Sequence, residues 1–385
     1  MKQQREHNRI LFISHEMNYT GAPRSLLRMC RVARELGYVP TVWTMRPGPF
    51  EAEYEASGFE VETVPAEATD DPRLLRRIGD FDLAVCNTSI TARFARACCQ
   101  RIPTVWYIRE AANIADVLEN SPPETAFILR NSRDICCISD YAAEALRPYT
   151  DHPVRVIPNC VEDEALLAEP HTPGAGSKVR FLQMGTLEYR KGYDVLLSAF
   201  ESLPAELRQR AELYLAGPGN DSVYGREVLR RAAAIPGVRY LGVITGDTER
   251  TRAISRMDVV VVASRDEAGS LVALEGAMLG KPRIVTKNVG ARYIVGKRNG
   301  YITESGDPAS LSRAMADCIE RRENLAPMGF ESRRRYESMA SMEKYTEDMK
   351  KLFALAAQRD TPAARAERAR NVLVFRGKWK LAKGK

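Results

Sequence analysis

Short apolar runs alternate along this chain with longer stretches in which apolar residues return at helical spacing. In the first half the runs fall at residues 10–14, 41–45, 60–64, 83–87, 104–108, 135–139 and 154–158. Between the first two, Leu26, Leu27, Cys30, Ala33 and Leu36 mark one face of a helix over 22–36 that stops at Gly37. Strand, helix, strand in this order predicts a doubly wound α/β sheet. The pattern breaks at 171–178, His-Thr-Pro-Gly-Ala-Gly-Ser-Lys, a composition that marks a linker. It then resumes at 179–184, 212–216, 238–241, 259–263, 283–286 and 301–303, and beyond residue 317 it turns into one long helical pattern reaching 357. A length of 385 residues is too great for one ordinary core, and two similar units joined by one linker imply a cleft between them. Ligands of open α/β sheets bind at the carboxyl ends of the strands, so the loops after Ser14 and after Ala263 are expected to face that cleft.

The most informative stretch runs from Arg265 to Pro282. Just before it, Asp-Val-Val-Val-Val-Ala at 258–263 is an unbroken β-branched run, the habit of a parallel strand buried on both faces. A loop with Glu267 and Gly269 follows; Ser270 can cap the helix formers at 271–279, and Gly280, Lys281 and Pro282 close them. A helix start of this kind offers unpaired N–H groups and the positive end of a dipole, which suits a phosphate or diphosphate. Glu267 and Glu275 bracket it. Their spacing, at most about 12 Å along a helix, is the reach of a folded sugar nucleotide, and an ionised carboxylate accepts from vicinal hydroxyls.

Composition narrows the choice by exclusion. The net charge is +7, but Arg359, Arg365, Arg368, Arg370, Arg376, Lys378, Lys380, Lys383 and Lys385 lie after position 358, so the excess belongs to a tail. No nucleic-acid partner is expected, and a peripheral contact of the tail with an anionic membrane stays open. The polar start and the brief apolar run at 10–13 suggest neither a signal peptide nor a membrane span. The eight cysteines read as buried free thiols of a reducing cytoplasm. The loop at 14–21 has one glycine and no dinucleotide fingerprint, and Gly185-Thr-Leu-Glu-Tyr-Arg-Lys-Gly192 is not a P-loop. Asp80-Phe-Asp82 reads as strand-entry polarity, and with four scattered histidines no metal site is expected.

Glu-Ala-Gly-Ser-Leu-Val-Ala-Leu-Glu-Gly-Ala-Met-Leu-Gly-Lys-Pro, at 267–282, resembles the donor-site signature of the family 4 glycosyltransferases. The resemblance covers almost all of residues 9–357. It implies a GT-B fold of two Rossmann-like domains facing a central cleft: an acceptor-binding domain over 1–172 and a nucleotide-sugar domain over 173–330. Helices over 331–357 would return to the first domain, ahead of the basic tail at 358–385. It also implies a retaining, metal-independent transfer of a sugar from a nucleoside diphosphate to a saccharide or lipid-linked acceptor, with no cofactor. Breaking a sugar–phosphate bond without a metal requires fixed cations for the departing diphosphate. The segment ending Arg190-Lys191-Gly192 resembles the family's donor loop and gives that role to Lys191, with help from Arg190. Glu267 would take the sugar hydroxyls and Glu275 the ribose. Gly185, Gly269, Ser270, Leu271 and Val272 complete the donor side, with Gly21 and Arg109 contributed by the first domain.

His15 and Glu16 are candidates for acceptor contact. Arg109 departs from the family, which usually has histidine there; a guanidinium binds hydroxyl or phosphate but does not shuttle protons. Thr186 departs as well, standing where the family often has arginine, and Cys160 and Glu162 replace residues of its hinge segment. The opening Ser-His-Glu-x-x-x-Thr-Gly-Ala-Pro is similar to members from bacterial surface polysaccharide pathways, which suggests a cytoplasmic enzyme at the inner face of a membrane. Two alternatives stand beside this reading: a sugar-nucleotide epimerase of the same fold, and a sugar-nucleotide-binding module without catalysis.

Overall fold

A computed structural model of the chain describes residues 8–219, 221–358, 361 and 363. Most of the basic tail expected from residue 358 onward therefore lies outside the described residues. The chain divides into two compact units, the first ending at Ile157 and taking up the chain again from Thr346, the second spanning Pro158–Tyr345. Both are parallel α/β sheets, the class the alternating pattern predicts.

Seven strands form the first sheet: β1 (Arg9–Ser14), β2 (Val39–Thr44), β3 (Val61–Thr63), β4 (Leu83–Asn87), β5 (Thr104–Ile108), β6 (Ile135–Cys137) and β7 (Val154–Val156), in the order β3-β2-β1-β4-β5-β6-β7. All neighbours pair parallel, with Phe12 of β1 opposite Val42 on one side and Val85 on the other. Ile10 to Ile13 and the whole of β5 are buried, as a central parallel strand covered on both faces must be. The helix Gly21–Glu35 follows β1 and buries Leu26, Leu27, Cys30 and Ala33, the face its sequence spacing predicts. The last helix, Met342–Gln358, carries the chain back into this unit, where Phe353 meets Tyr38 edge-on, with ring centroids 5.4 Å apart.

Six strands form the second sheet: β8 (Val179–Met184), β9 (Ala211–Ala216), β10 (Val238–Tyr240), β11 (Val259–Val262), β12 (Arg283–Thr286) and β13 (Gly300–Thr303), in the order β10-β9-β8-β11-β12-β13. The valine run of β11 supplies both faces. Val259 and Val261 join one core cluster with Phe181, Phe200 and Leu213, while Val260 and Val262 join the other with Leu182, Leu274 and Val285. Alternate side chains of a strand point to opposite faces, so a strand packed on both sides needs an unbroken apolar run.

Strand order reverses direction between β1 and β4 in the first sheet and between β8 and β11 in the second. Such a switch point parts the loops on either side and opens a crevice at the carboxyl ends of the two strands. The loops after β8 and β11 in one unit, and after β1 and β4 in the other, are therefore where each unit presents its chemistry.

Candidate functional site

In the second unit the two loops at the switch point are tied together by a buried polar side chain. Gln183, on β8, accepts from the Ala263 amide at 3.0 Å and donates through Nε2 to the Lys191 carbonyl at 2.8 Å. Gly192 allows the approach. Its φ is +67°, and an added Cβ would lie 2.1 Å from the Ala263 carbonyl oxygen, so no other residue fits there without moving a backbone. The consequence is a direct contact between residues far apart in sequence: Lys191 Nζ donates to Glu267 Oε1 at 2.8 Å, and Ser264 Oγ donates to Glu267 Oε2 at 2.7 Å. Glu267 is held at its backbone as well, donating to the Asn288 carbonyl and accepting from the Gly290 amide. The cation and carboxylate that the sequence singles out are thus one fixed pair.

Arg190 sits differently from its neighbour. Its guanidinium donates to the Asp266 carbonyl at 2.9 Å and to Glu188 Oε1 at 2.7 Å, which fastens the loop after β8 to the loop after β11. Arg265 reinforces that fastening with a bidentate pair to Asp194 at 2.8 and 2.7 Å, and it stacks 3.9 Å over the Tyr189 ring. Gly185 follows β8 with φ +147°, and its carbonyl accepts from the Tyr193 hydroxyl at 2.6 Å.

Helix Leu271–Met278 begins where the sequence places it. Ser270 is its N-cap and accepts from the Ala273 amide at 3.4 Å, while the amides of Leu271 and Val272 have no intrahelical acceptor, as in any first turn. Gly269 precedes the cap in the half-buried part of the loop. Glu275 is buried within this helix and ion-pairs through Oε1 with Arg250, on the helix Asp247–Ser255. Its second oxygen, Oε2, is buried with no hydrogen-bond partner among the described residues. A buried carboxylate oxygen without a donor is costly, and a ligand hydroxyl would satisfy it.

The candidates of the first unit gather at its own switch point, although Gly21 has no packing reason to be glycine. That glycine opens the helix Gly21–Glu35, and an added Cβ would meet nothing within 4 Å, so packing inside the protein does not demand glycine there. His15 is buried, with Nδ1 3.2 Å from Thr88 Oγ1 and Nε2 3.6 Å from Glu16 Oε1. Burial lowers its pKa below the ordinary value; Glu16 opposes this, and Arg46 and Arg109 add to it. Arg109, just past β5, donates through Nε to Asn87 Oδ1 at 2.5 Å and lies 4.7 Å over the Tyr107 ring. Asn87 in turn donates to the Ala22 carbonyl at 3.2 Å, linking Arg109 to the helix after the β1 loop.

Four participants were not legible as such: Gln183, Arg250, Asn87 and Thr88. A polar residue near the end of an otherwise apolar buried strand was the available signal for Gln183 and Asn87; none marked Arg250, whose partner lies on another helix. Among the described residues, no group of three or more histidine, cysteine, aspartate or glutamate side chains is arranged to hold a metal ion.

Two family models match the chain, Glycosyltransferase Family 4 over residues 19–165 and Glycosyl transferases group 1 over 171–337. A D-inositol 3-phosphate glycosyltransferase of Geodermatophilus obscurus is 29% identical over 218 residues, 54% of this chain and 46% of that protein. The chain thus spans about half the length of this curated relative. Among solved structures, Anabaena Alr3699/HepE in complex with UDP-glucose superposes with a TM-score of 0.76 at 17% identity, over 90% of this chain and 100% of that one. WaaG, a glycosyltransferase involved in lipopolysaccharide biosynthesis, does so with a TM-score of 0.66 at 14% identity, over 88% of this chain and 99% of its own. At these identities the likeness is one of fold.

Proposed function

For a chain that belongs to the glycosyltransferases of GT-B fold, we propose that the second unit binds a nucleoside diphosphate sugar and that the sugar passes to a saccharide or lipid-linked acceptor on the first, with retention of configuration and without a metal. The observation that carries the proposal is the switch-point site of the second unit, where a fixed Lys191–Glu267 pair accompanies a helix start and a carboxylate with one unpartnered buried oxygen. An ammonium has three donors, so Lys191 can keep Glu267 in place and still donate to the diphosphate. As the anomeric carbon–oxygen bond breaks, the electron pair goes to the diphosphate, and Lys191 with the amides of the Ser270–Val272 turn stabilises it. Glu267 accepts from hydroxyls of the sugar, and Glu275 Oε2 accepts from the ribose. Arg190 acts by holding the two loops together, a role that its bonds to Asp266 and Glu188 support.

The kinship in fold with WaaG and the form of the loop after β1 favour a role in surface polysaccharide or glycoconjugate synthesis. Among the described residues no helix is long and apolar enough to cross a membrane. In this reading the enzyme works in the cytoplasm and meets the anionic face of the membrane through its basic tail. The test is nucleotide release from UDP-, GDP-, ADP- and dTDP-sugars, with saccharide and lipid-linked acceptors and with chelator present, followed by NMR of the new anomeric centre. Acceptor-dependent release with the donor's configuration kept is the expected result. Sugar inversion without an acceptor would make the protein an epimerase, and binding without release would make it an inactive module.

A further inference from the structure

Thr88 is held in a backbone conformation foreign to its side chain. Its φ of 78° and ψ of 158° fall in a region that is essentially glycine's alone, and Asn8 is the one other non-glycine residue with positive φ among those described. It stands directly after β4, at the switch point beside β1. Its surroundings fix it there on every side. The Thr88 amide donates to the Tyr107 carbonyl at 2.8 Å, and its carbonyl accepts from Trp106 Nε1 at 2.8 Å and from Thr91 Oγ1 at 2.8 Å. Strain that persists under such constraint is a reason to ask what it places.

What it places is a hydroxyl against a histidine. Thr88 Oγ1 lies 3.2 Å from His15 Nδ1, and both residues are buried. On the far side of the ring, His15 Nε2 faces Glu16 Oε1 at 3.6 Å. Burial disfavours the imidazolium, Glu16 opposes this, and Arg46 and Arg109 act with burial; in the neutral ring one nitrogen carries the single proton. A carboxylate only accepts, whereas the Thr88 hydroxyl can donate, so this arrangement favours the proton on Nε2, with Nδ1 accepting from Thr88. Glu16 is steadied by Asn18 Nδ2 at 2.8 Å and Thr20 Oγ1 at 3.3 Å. The loop after β1 therefore holds an N–H donor next to a carboxylate acceptor. A sugar hydroxyl, which donates one hydrogen bond and accepts others, matches that pair.

We propose that Thr88 is a positioning residue that fixes His15 as the Nε2–H tautomer, so that His15 and Glu16 together bind a hydroxyl of the acceptor sugar. The part concerning the acceptor rests on the transferase reading above; the part concerning the tautomer does not.

Side-chain nitrogen NMR of the full chain, which has four histidines, tests the tautomer directly. The native protein and Thr88→Ser are expected to show His15 protonated at Nε2 and bare at Nδ1, whereas Thr88→Val is expected to move proton population onto Nδ1. A bare Nε2 in the native protein, or an unchanged His15 in a folded Thr88→Val variant, overturns the proposal. Should Thr88→Val fail to fold, Thr88→Gly serves in its place, because glycine adopts this conformation freely and also lacks the hydroxyl. In a transfer assay, loss of the hydroxyl is expected to raise the acceptor KM about tenfold, with the donor KM unchanged and serine restoring the native value. An equal change in both constants would reduce Thr88 to a structural residue. Absence of transfer by the native protein would refute the transferase reading while leaving the NMR result standing.

Discussion

The two units share one architecture, a parallel sheet whose strand order reverses at a central pair, yet their switch points are built from different materials. In the second unit, charge and close backbone approach dominate: Gly192 lets two loops touch, Gln183 bonds to both, and a lysine and a glutamate 76 positions apart meet at 2.8 Å. In the first unit a buried histidine beside Glu16, a strained threonine and the Asn87–Arg109 bond are arranged instead. Fixed charge suits a ligand whose own charge grows during reaction, such as a departing diphosphate. Donors set beside acceptors suit hydroxyls, which both donate and accept. One architecture thus presents two different arrangements of side chains around its central strands.

Replacing Lys191 by methionine should produce the largest effect, a fall in kcat of about 10²- to 10³-fold, the usual consequence of removing one stabiliser of developing negative charge. It is to be read as nucleotide release with folding checked by circular dichroism; transfer within tenfold of native would show that charge is not what distinguishes the second unit. Next comes Gly192→Ala. With φ +67° and a Cβ that would sit 2.1 Å from the Ala263 carbonyl, a loss of about 3 kcal/mol in urea unfolding is expected, together with weaker nucleotide binding. Gln183→Leu should cost slightly less, about 2 kcal/mol, by leaving the Ala263 amide and the Lys191 carbonyl without their buried partner.

The smallest effect belongs to the first unit and is one of pH. Burial holds the folded-state pKa of His15 below the ordinary 6.5, so as pH falls the unfolded chain takes up the proton first. The stability contributed by neutral His15 is complete above about pH 6.5 and is lost as the pH drops below it. A His15→Gln variant should therefore show a flatter decline of stability below that pH than the native protein. An identical decline in both would remove His15 from the account of acid sensitivity.

Much of this was legible in the chain. An unbroken valine run predicts β11 as a strand packed on both faces, and Ser270 and Gly280 mark the ends of the helix after it, because burial and helix capping act over a few residues. The loops that carry Lys191 and Glu267 were legible for the same reason. Their direct bond was not, since it depends on Gly192 and Gln183 bringing together segments that local pattern treats separately. Arg190 reads in sequence as the twin of Lys191, but its guanidinium turns toward Asp266 and Glu188. Thr88 is the extreme case: nothing in Cys-Asn-Thr-Ser signals a positive φ on a β-branched residue, and only the tertiary hydrogen bonds around it account for that conformation.

The central claim is that the second unit holds a preformed nucleotide site whose unpartnered carboxylate oxygen, Glu275 Oε2, awaits a ribose hydroxyl. Thermal unfolding of the native protein and of Glu275→Ala, each with and without UDP-glucose and without added metal, tests it most directly, because a ligand that binds only the folded state must raise its stability. Stabilisation of the native protein that disappears in the variant is the expected result. Equal stabilisation of both proteins would contradict the assignment of Glu275, and no stabilisation of the native protein by UDP-glucose or by the GDP, ADP and dTDP sugars would contradict the donor site itself.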